Sequence, residues 1–500
     1  MSLHLTTPQV VARVNPSAPR TIITTDPELD DLNSMLRLLL YSNEINIVGL
    51  VYSASQFHYI GDPATGVAPH RWPAAGEQLH IDDAIDAYAQ VWENLVVHDP
   101  RYPSPDHLRS LVAVGNIANV GEMDADTPGS DLIKAVLLDD EPGQVFLQTW
   151  GGFNTTARAL RSIENELCGT DEWPVIHAKV TAKTVITAFG QQDSTFAEYI
   201  RPVWPGIELR EVSTFVWGYF ARMVAREEDQ EFLSTQWTRE NITDVGPIGT
   251  VYRVWGDGKQ MAEGFDEEDY FGITGRTANE LTAMGYRVWC PLQEPGSFLS
   301  EGDSSNFALL IDNGLRSWEH PGWGGWGGRQ TVSVDDPALS ANKLSHDADE
   351  SGATPKDYSA ARWLSAFQRD FAARLRWSVT DTYGAANHAP ELAIDQGLEV
   401  TAAAGETVRL SARATDPDGD DVVISWWVYA EAGTCPSPTS LVVPAETPAR
   451  GADMVSTHST IGVVVPSDAE PGQTIHVICQ ADDDGVPSLT TYQRVVVKVA

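Results

Sequence analysis

The most constraining stretch of this chain lies near its start, where an apolar strand runs straight into acid. Residues 21–25 (TIITT) read as a β-strand, followed at once by Asp26, Pro27, Glu28, Leu29, Asp30 and Asp31. A helical spacing at Leu32, Met35, Leu36 and Leu39 comes next. Pro27 fixes the turn, so Asp26 and the Asp30–Asp31 pair converge above the end of the strand. Carboxylates held that close repel one another unless something positive sits among them. A hard divalent cation with oxygen ligands is one solution; a helix N-terminus with dipole-complementing acids is the other.

The strand–helix alternation repeats along the chain. INIVGLVYS (45–53), VFLQTW (145–150), VIHAKV (175–180) and KTVITAF (183–189) read as strands, with a helix over Thr155–Glu166 among them. Strand, helix, strand in this order predicts an α/β domain over 19–385, with a Rossmann-like, mostly parallel sheet and a site at the carboxyl ends of its strands. Residues 320–335 are rich in Gly and Trp and read as an ordered loop near a ligand, because flexible linkers lack indoles. A polar excursion, 336–356, precedes an amphipathic helix expected from Tyr358 to Trp377. From 386 to 500 the texture changes to short alternating strands between Pro, Gly and Asp turns, which predicts an all-β, immunoglobulin-like sandwich. The adjacent Trp426 and Trp427 point to opposite faces of one strand, one to the core and one outward or to a domain interface. The turn at 416–420 (DPDGD) is acidic enough to hold a cation, although Asp and Gly are also ordinary turn residues.

Charge narrows the function. With 33 Lys and Arg against 70 Asp and Glu, the formal net charge is −37, which repels nucleic-acid polymers and anionic membrane surfaces. Neutral sugars and bound cations remain compatible partners. Sixteen Trp supply flat faces for sugar rings as well as core filler. No run approaches the ~18 apolar residues of a membrane-spanning helix. No signal peptide is visible, yet domain style and acidity point to a secreted or periplasmic protein, with a cytoplasmic location left open. Cys168 and Cys290 read as isolated thiols, while Cys435 and Cys479 either pair in an oxidising compartment or stay free.

The segment TTDPELDD (24–31) resembles the signature of nucleoside hydrolases, a strand ending in Asp-Thr-Asp-Pro-Gly-Ile-Asp-Asp. INIVGLVYSASQ resembles that family's second strand, and WGGFNTTARAL (150–160) is placed like its Leu-Gly-Pro-Leu-Thr-Asn loop. Taken with EGDSSNF, GGWGGR and the C-terminal sandwich, the ordered set resembles cellulose-binding proteins that join a nucleoside-hydrolase-like domain to an immunoglobulin-like one. The resemblance implies that Asp26 both ligates Ca2+ and serves as general base toward a metal-bound water. It implies Asp31 as a second metal ligand, the Asn154 carbonyl as a third, and Asp303 as the late ligand, with Asp312 as fallback. Asp30 and Gln56 would hold sugar hydroxyls. Gln191, Gln192 and Asp193 fall near another sugar contact, and Glu301 would supply a proton or a sugar contact. Two departures stand out: Thr24 replaces the first signature Asp, and Glu28 replaces its Gly. His320 reads as structural, so no leaving-group His is evident.

The expected function is therefore a Ca2+-dependent glycoside hydrolase with inverting attack, acting on a glycan-derived or furanosyl substrate. Trp323 and Trp326 would stack on a sugar ring and Arg329 close over its hydroxyls. The alternatives are a purine or pyrimidine nucleoside N-ribohydrolase and a non-catalytic, cellulose-binding protein. A homo-oligomer is compatible with this fold's relatives.

Overall fold

The computed structural model describes residues 13–74, 76–443 and 458–500. Its first part is built on a sheet of eight strands in the order β3-β2-β1-β4-β5-β6-β8-β7. These are β1 (Arg20–Thr25), β2 (Asn46–Tyr52), β3 (Val112–Val114), β4 (Val145–Thr149), β5 (Thr184–Ala188), β6 (Glu208–Glu211), β7 (Thr331–Val332) and β8 (Leu339–Ala341). Neighbours pair in parallel except β7, which lies antiparallel on β8. β1 is buried along its whole length, as expected of a central parallel strand covered on both faces. Its alternation assigns the two faces. Ile23 packs with helices α1 (Leu29–Leu40) and α2 (His80–Ala89), whereas Ile22 packs toward α5 (Pro128–Leu138) and α6 (Asn154–Leu167). Between these run α3 (Trp92–His98) and α4 (Pro105–Ser110), and α7 (Trp173–Lys183) comes after them.

The strand order reverses between β1 and β4: β2 and β3 extend one way, β5 and β6 the other. Loops leaving those two strands diverge to opposite faces and open a crevice beyond their carboxyl ends, where ligands of open α/β sheets bind. Asp26 comes directly after β1, and Gly151 lies just past β4.

Three local expectations are corrected. Residues 175–180 lie in helix α7, not in a strand; Pro174 in its first turn suits a helix start, and the β-branched run was the misleading signal. The helix expected over 358–377 is broken after Ala361 and resumes as Leu364–Ser378. Within the polar 336–356 stretch, Leu339–Ala341 joins the sheet beside β6.

The second part is a sandwich of two four-stranded sheets, β10-β16-β15-β12 and β13-β14-β11-β9. Its strands are β9 (Glu391–Ile394), β10 (Glu399–Ala402), β11 (Thr407–Thr415), β12 (Val422–Val428), β13 (Ser440–Val442), β14 (His458–Val464), β15 (Thr474–Asp483) and β16 (Thr490–Val499). All pairings are antiparallel except β10 on β16. Trp426 lies against the sandwich core, and Trp427 packs on Trp363 across the domain junction at 5.8 Å. The thiols of Cys435 and Cys479 are both free. In the DPDGD turn, Asp416 accepts from the amides of Asp418, Gly419 and Asp420, and Asp418 meets His388 at 3.0 Å.

The two parts are clamped by the Gly–Trp loop. The β16 amides of Tyr492 and Arg494 donate to Asn313 and Gly314 carbonyls at 3.0 and 3.1 Å. The Arg494 guanidinium, fully buried, donates to the carbonyls of Leu315, Trp323 and Gly324. Gly324 has φ 73°, and a Cβ there would come within 2.6 Å of the Tyr429 hydroxyl, so this contact requires glycine. Among the described residues, no helix is long and apolar enough to cross a membrane.

Candidate functional site

Beyond the ends of β1 and β5 and the loop after β6 lies a cavity of about 520 Å³. Carboxylates of Glu28, Asp30, Asp31 and Asp303 line it on one side. Phe57, Phe189, Phe215, Tyr219, Phe220 and Trp289 line it elsewhere.

The acids are held rigidly by neutral donors. Asp26, 1% exposed, accepts at Oδ2 from the Ser55 hydroxyl at 2.6 Å and from His58 Nδ1 at 2.8 Å. Its Oδ1 is buried and has no hydrogen-bond partner. The WGGF loop passes so close to this atom that a Cβ on Gly151 would lie 2.4 Å from it. Asp31 accepts from the Thr25 hydroxyl, which also meets His80 Nε2 at 2.9 Å. Asp30 Oδ2 accepts from Ser300 at 3.1 Å, and a Cβ on Gly302 would sit 2.8 Å from the same atom. Asp303 is 3% exposed, and its Oδ1 has no partner. Glu28 Oε1 accepts from the Tyr219 hydroxyl at 3.2 Å, and its Oε2 lies 3.8 Å from His58.

No Lys or Arg bonds Asp26, Asp30, Asp31 or Asp303 among the described residues, and the electrostatics reflect it. Burial, then mutual repulsion, pushes Asp31 and Asp303 well above the ordinary carboxylate range. Burial lifts Asp30 to about 6, and burial with repulsion from Asp30 lifts Glu28 to about 7. Burial also holds His80 neutral, at about 3. Arg71, which lines the cavity at φ 49°, is committed to Asp266 and Glu268. The donor set is thus carboxylate oxygens with one imidazole. Two groups, Asp26 with Glu28 and His58, and Glu28 with Asp30 and Asp31, can each bring one atom per residue within 4.8 Å of the others in the group. A buried, unpartnered oxygen on Asp26 within the first group, and another on the neighbouring Asp303, fit a hard divalent cation.

Several expected site residues fall elsewhere. Glu301 is fully buried in an ion pair with Arg37 and accepts from Tyr252 as well, so it reaches no sugar. Trp326 is 1% exposed, with its ring on Phe367, and cannot stack on a ligand. Trp323 packs on Arg316 and against His476 at the domain junction, and Arg329 is paired with Asp347. The Gly–Trp loop is therefore a clamp, not a sugar platform. Asn154 begins helix α6, which directs its carbonyl down the helix axis. Its side chain braces the loops by bonding Ser53, Asn116 and Glu122. Asp193 is spent on the Asn154 and Thr195 amides and the Thr195 hydroxyl. The fallback Asp312 binds Asn15, away from the acid cluster, and His320 caps the turn at Gly322. Gln56, Gln191 and Gln192 do line the cavity, and Gln192 Oε1 is buried without a partner.

Sequence reading missed His58, Ser55, Thr25 and the aromatic wall around Trp289. His58 had a signal: it lies a few residues beyond the carboxyl end of β2, next to β1 in the sheet. Tyr219 and Trp289 had none, because they arrive from distant loops.

A reversed parallel sheet with acids over its crevice, joined to a β-sandwich, defines a nucleoside-hydrolase-like α/β protein with an appended all-β domain. Residues 20–330 match the family model described as cellulose-binding Sde182, nucleoside hydrolase-like domain, and residues 407–499 match that of cellulose-binding protein Sde0182, C-terminal domain. The chain belongs to this family. A solved structure with the same fold is a nucleoside hydrolase-related hypothetical protein from Saccharophagus degradans, described as associated with carbohydrate metabolism. It is 23% identical, with a TM-score of 0.68, over 97% of this chain and 100% of that one. The ASH/PapD-like domain of human CEP192 overlaps 22% of this chain and 84% of its own, at 10% identity and a TM-score of 0.14. No curated protein matches the chain.

Proposed function

We propose that this protein binds a carbohydrate and hydrolyses a glycosidic bond in the acid-lined cavity, with Ca2+ held by Asp26, Asp31 and Asp303. The observation carrying this reading is a pair of buried, unpartnered oxygens: Asp303 Oδ1, on a residue that lines the aromatic-flanked cavity, and Asp26 Oδ1, on a neighbouring acid close enough to repel Asp303. Asp26, Asp31 and Asp303 would hold the cation, which would offset the repulsion among the acids and would supply activation of a nucleophilic water. Ser55 and His58 hold Oδ2 of Asp26 and so leave Oδ1 to face the cation, with the Asp26 carboxylate also the candidate general base. Asp30, steadied by Ser300, grips vicinal hydroxyls through charge-assisted hydrogen bonds. Gln56 and Gln192 add polar contacts. Trp289, packed edge-on against Tyr219 at 4.8 Å and 37% exposed, offers the sugar a ring face that the Gly–Trp loop lacks. The site on a family fold described as cellulose-binding points to a secreted glycan-directed role.

The test is sugar release from furanosides, nucleosides and cello-oligosaccharides, with Ca2+ or with chelator. Release is expected only with the cation, and Asp26→Asn should lower it by roughly 10²-fold or more while saccharide binding persists. Saccharide binding with neither release nor Ca2+ uptake would instead make this a binding protein. Release from nucleosides alone would make it an N-ribohydrolase.

A further inference from the structure

A second cleft, of about 480 Å³, lies between helix Leu364–Ser378 and the sandwich, and shares no lining residue with the acid cavity. One wall carries Arg362, in the break just before that helix, and Ser365, Ala366 and Arg369 on the helix itself. The other wall comes from the sandwich and includes Trp427, Gln480 and Asp482.

Arg362 is unusual. Its guanidinium lies 4.6 Å from the Trp427 ring centroid, 5.0 Å from Tyr429, 5.3 Å from Tyr358 and 5.4 Å from Trp363. It is half-buried, and among the described residues its side chain makes no hydrogen bond and no ion pair. Arg369 lies over Phe232 at 5.1 Å and is likewise without a bonded acceptor. The acids nearby make hydrogen bonds that do not involve Arg362 or Arg369. Asp482 accepts from Gln480 and Thr490, Asp349 closes its own turn through Ser351 and Ala353, and Arg226 is taken by Glu228 and Asp229. Glu350 is exposed, where solvent screens it. Among the cleft's charged groups, the two guanidiniums and the exposed Glu350 are the ones without a hydrogen-bonding or ion-pair partner among the described residues.

We propose that this interdomain cleft is a second saccharide site, selective for sugars that carry carboxylates, with Arg362 and Arg369 as the acidic-group receptors. A planar carboxylate matches the guanidinium fork bidentately, and the ring-backed Arg362 is preorganised to meet it. Ser365 and Ala366 leave room between the two arginines for a sugar ring. A neutral glycan would need an open indole face, but Arg362 and Trp363 both pack on Trp427. The sugar part of this inference rests on the carbohydrate reading above; the charge part rests on the cleft alone.

The experiment titrates tetragalacturonate into the full chain, monitored by calorimetry and by Trp fluorescence, beside the same oligosaccharide with its carboxylates methyl-esterified. The free acid should bind at least about tenfold more tightly than the ester and weaken as salt rises. Arg369→Ala and the charge-preserving Arg362→Lys should each cost at least about fivefold in affinity, with sugar release at the acid cavity unchanged. Equal affinity for acid and ester, no binding of either, or indifference to both substitutions would overturn the proposal. Loss of sugar release from the cavity alone would bear on the hydrolytic reading and leave this one standing.

Discussion

The chain buries acids in two ways, and the contrast separates support from chemistry. Glu301 is met by Arg37 through two bonds, with Tyr252 and Ser304 completing its shell, while Arg37 spends its other donors on Phe367 and Gln368. Glu44 is met by Arg374 in the same manner, and Asp139 by Arg20 and Lys183. Only a few residues from Glu301, Asp303 is buried as deeply but faces other acids, with an oxygen left over. Residue type and burial are alike; only the matched charge differs. The largest expected effect breaks the contrast from both sides. Arg37→Met strands a buried carboxylate and should cost about 3–5 kcal/mol, read by chemical denaturation. Adding Glu301→Gln should restore much of it, as a double-mutant cycle would register. Asp303→Asn in chelator should do the opposite and raise Tm, because it removes repulsion. A fall in Tm there would mean the acid cluster is already compensated within the chain.

The domain junction sharpens the same point with a base. His476, 1% exposed in β15, has its Nδ1 facing the Arg494 guanidinium at 3.1 Å, and Trp323 packs across it. Burial first, then the positive charge of Arg494, with His320 and Arg316 adding to it, lowers the imidazole from its ordinary value to about 3. The unfolded chain takes up a proton near pH 6.5 and the folded one only near 3, so the stabilisation is complete above pH 6.5 and drains as pH falls toward 3. At pH 5 the loss should be about 2 kcal/mol. His476→Gln should flatten that part of the pH–stability curve, measured by denaturation at pH 7 and pH 5. An unchanged slope would place the acid sensitivity elsewhere.

Legibility depended on range. The strand, turn and acids at 21–31 were readable because a strand's end, a proline and a helical spacing fix where side chains point within a few residues; the structure sets Asp30 and Asp31 beside Glu28 in one group and Asp26 beside Glu28 and His58 in another. Asp303 was reachable only through a family resemblance, since nothing local shows a distant loop folding over β1. The Gly–Trp loop misled because an indole count does not say which surface the indoles cover: Trp326 serves the core and Trp323 the junction. Glu301 misled for a related reason, its neighbour in sequence being a site residue while its partner, Arg37, lies on α1. Helix α7 was misread because Val175, Ile176 and Val180 suit a strand locally, and tertiary packing overrode that preference.

The smallest expected effect compares two indoles directly. Trp289 lines the acid cavity and is 37% exposed, whereas Trp323 is packed between Arg316, Arg494 and His476. Stacking on a sugar ring contributes through the indole's buried apolar area, so Trp289→Ala should weaken saccharide binding by about 1–2 kcal/mol while leaving Tm nearly unchanged. Trp323→Ala should invert the pattern, lowering Tm through the lost junction contacts and leaving cavity affinity alone. Calorimetric titration beside a thermal melt for each variant gives both readings. If Trp323→Ala lost affinity at unchanged Tm, the Gly–Trp loop would have to be returned to the binding surface, and the junction would hold by Arg494 and its carbonyl acceptors instead.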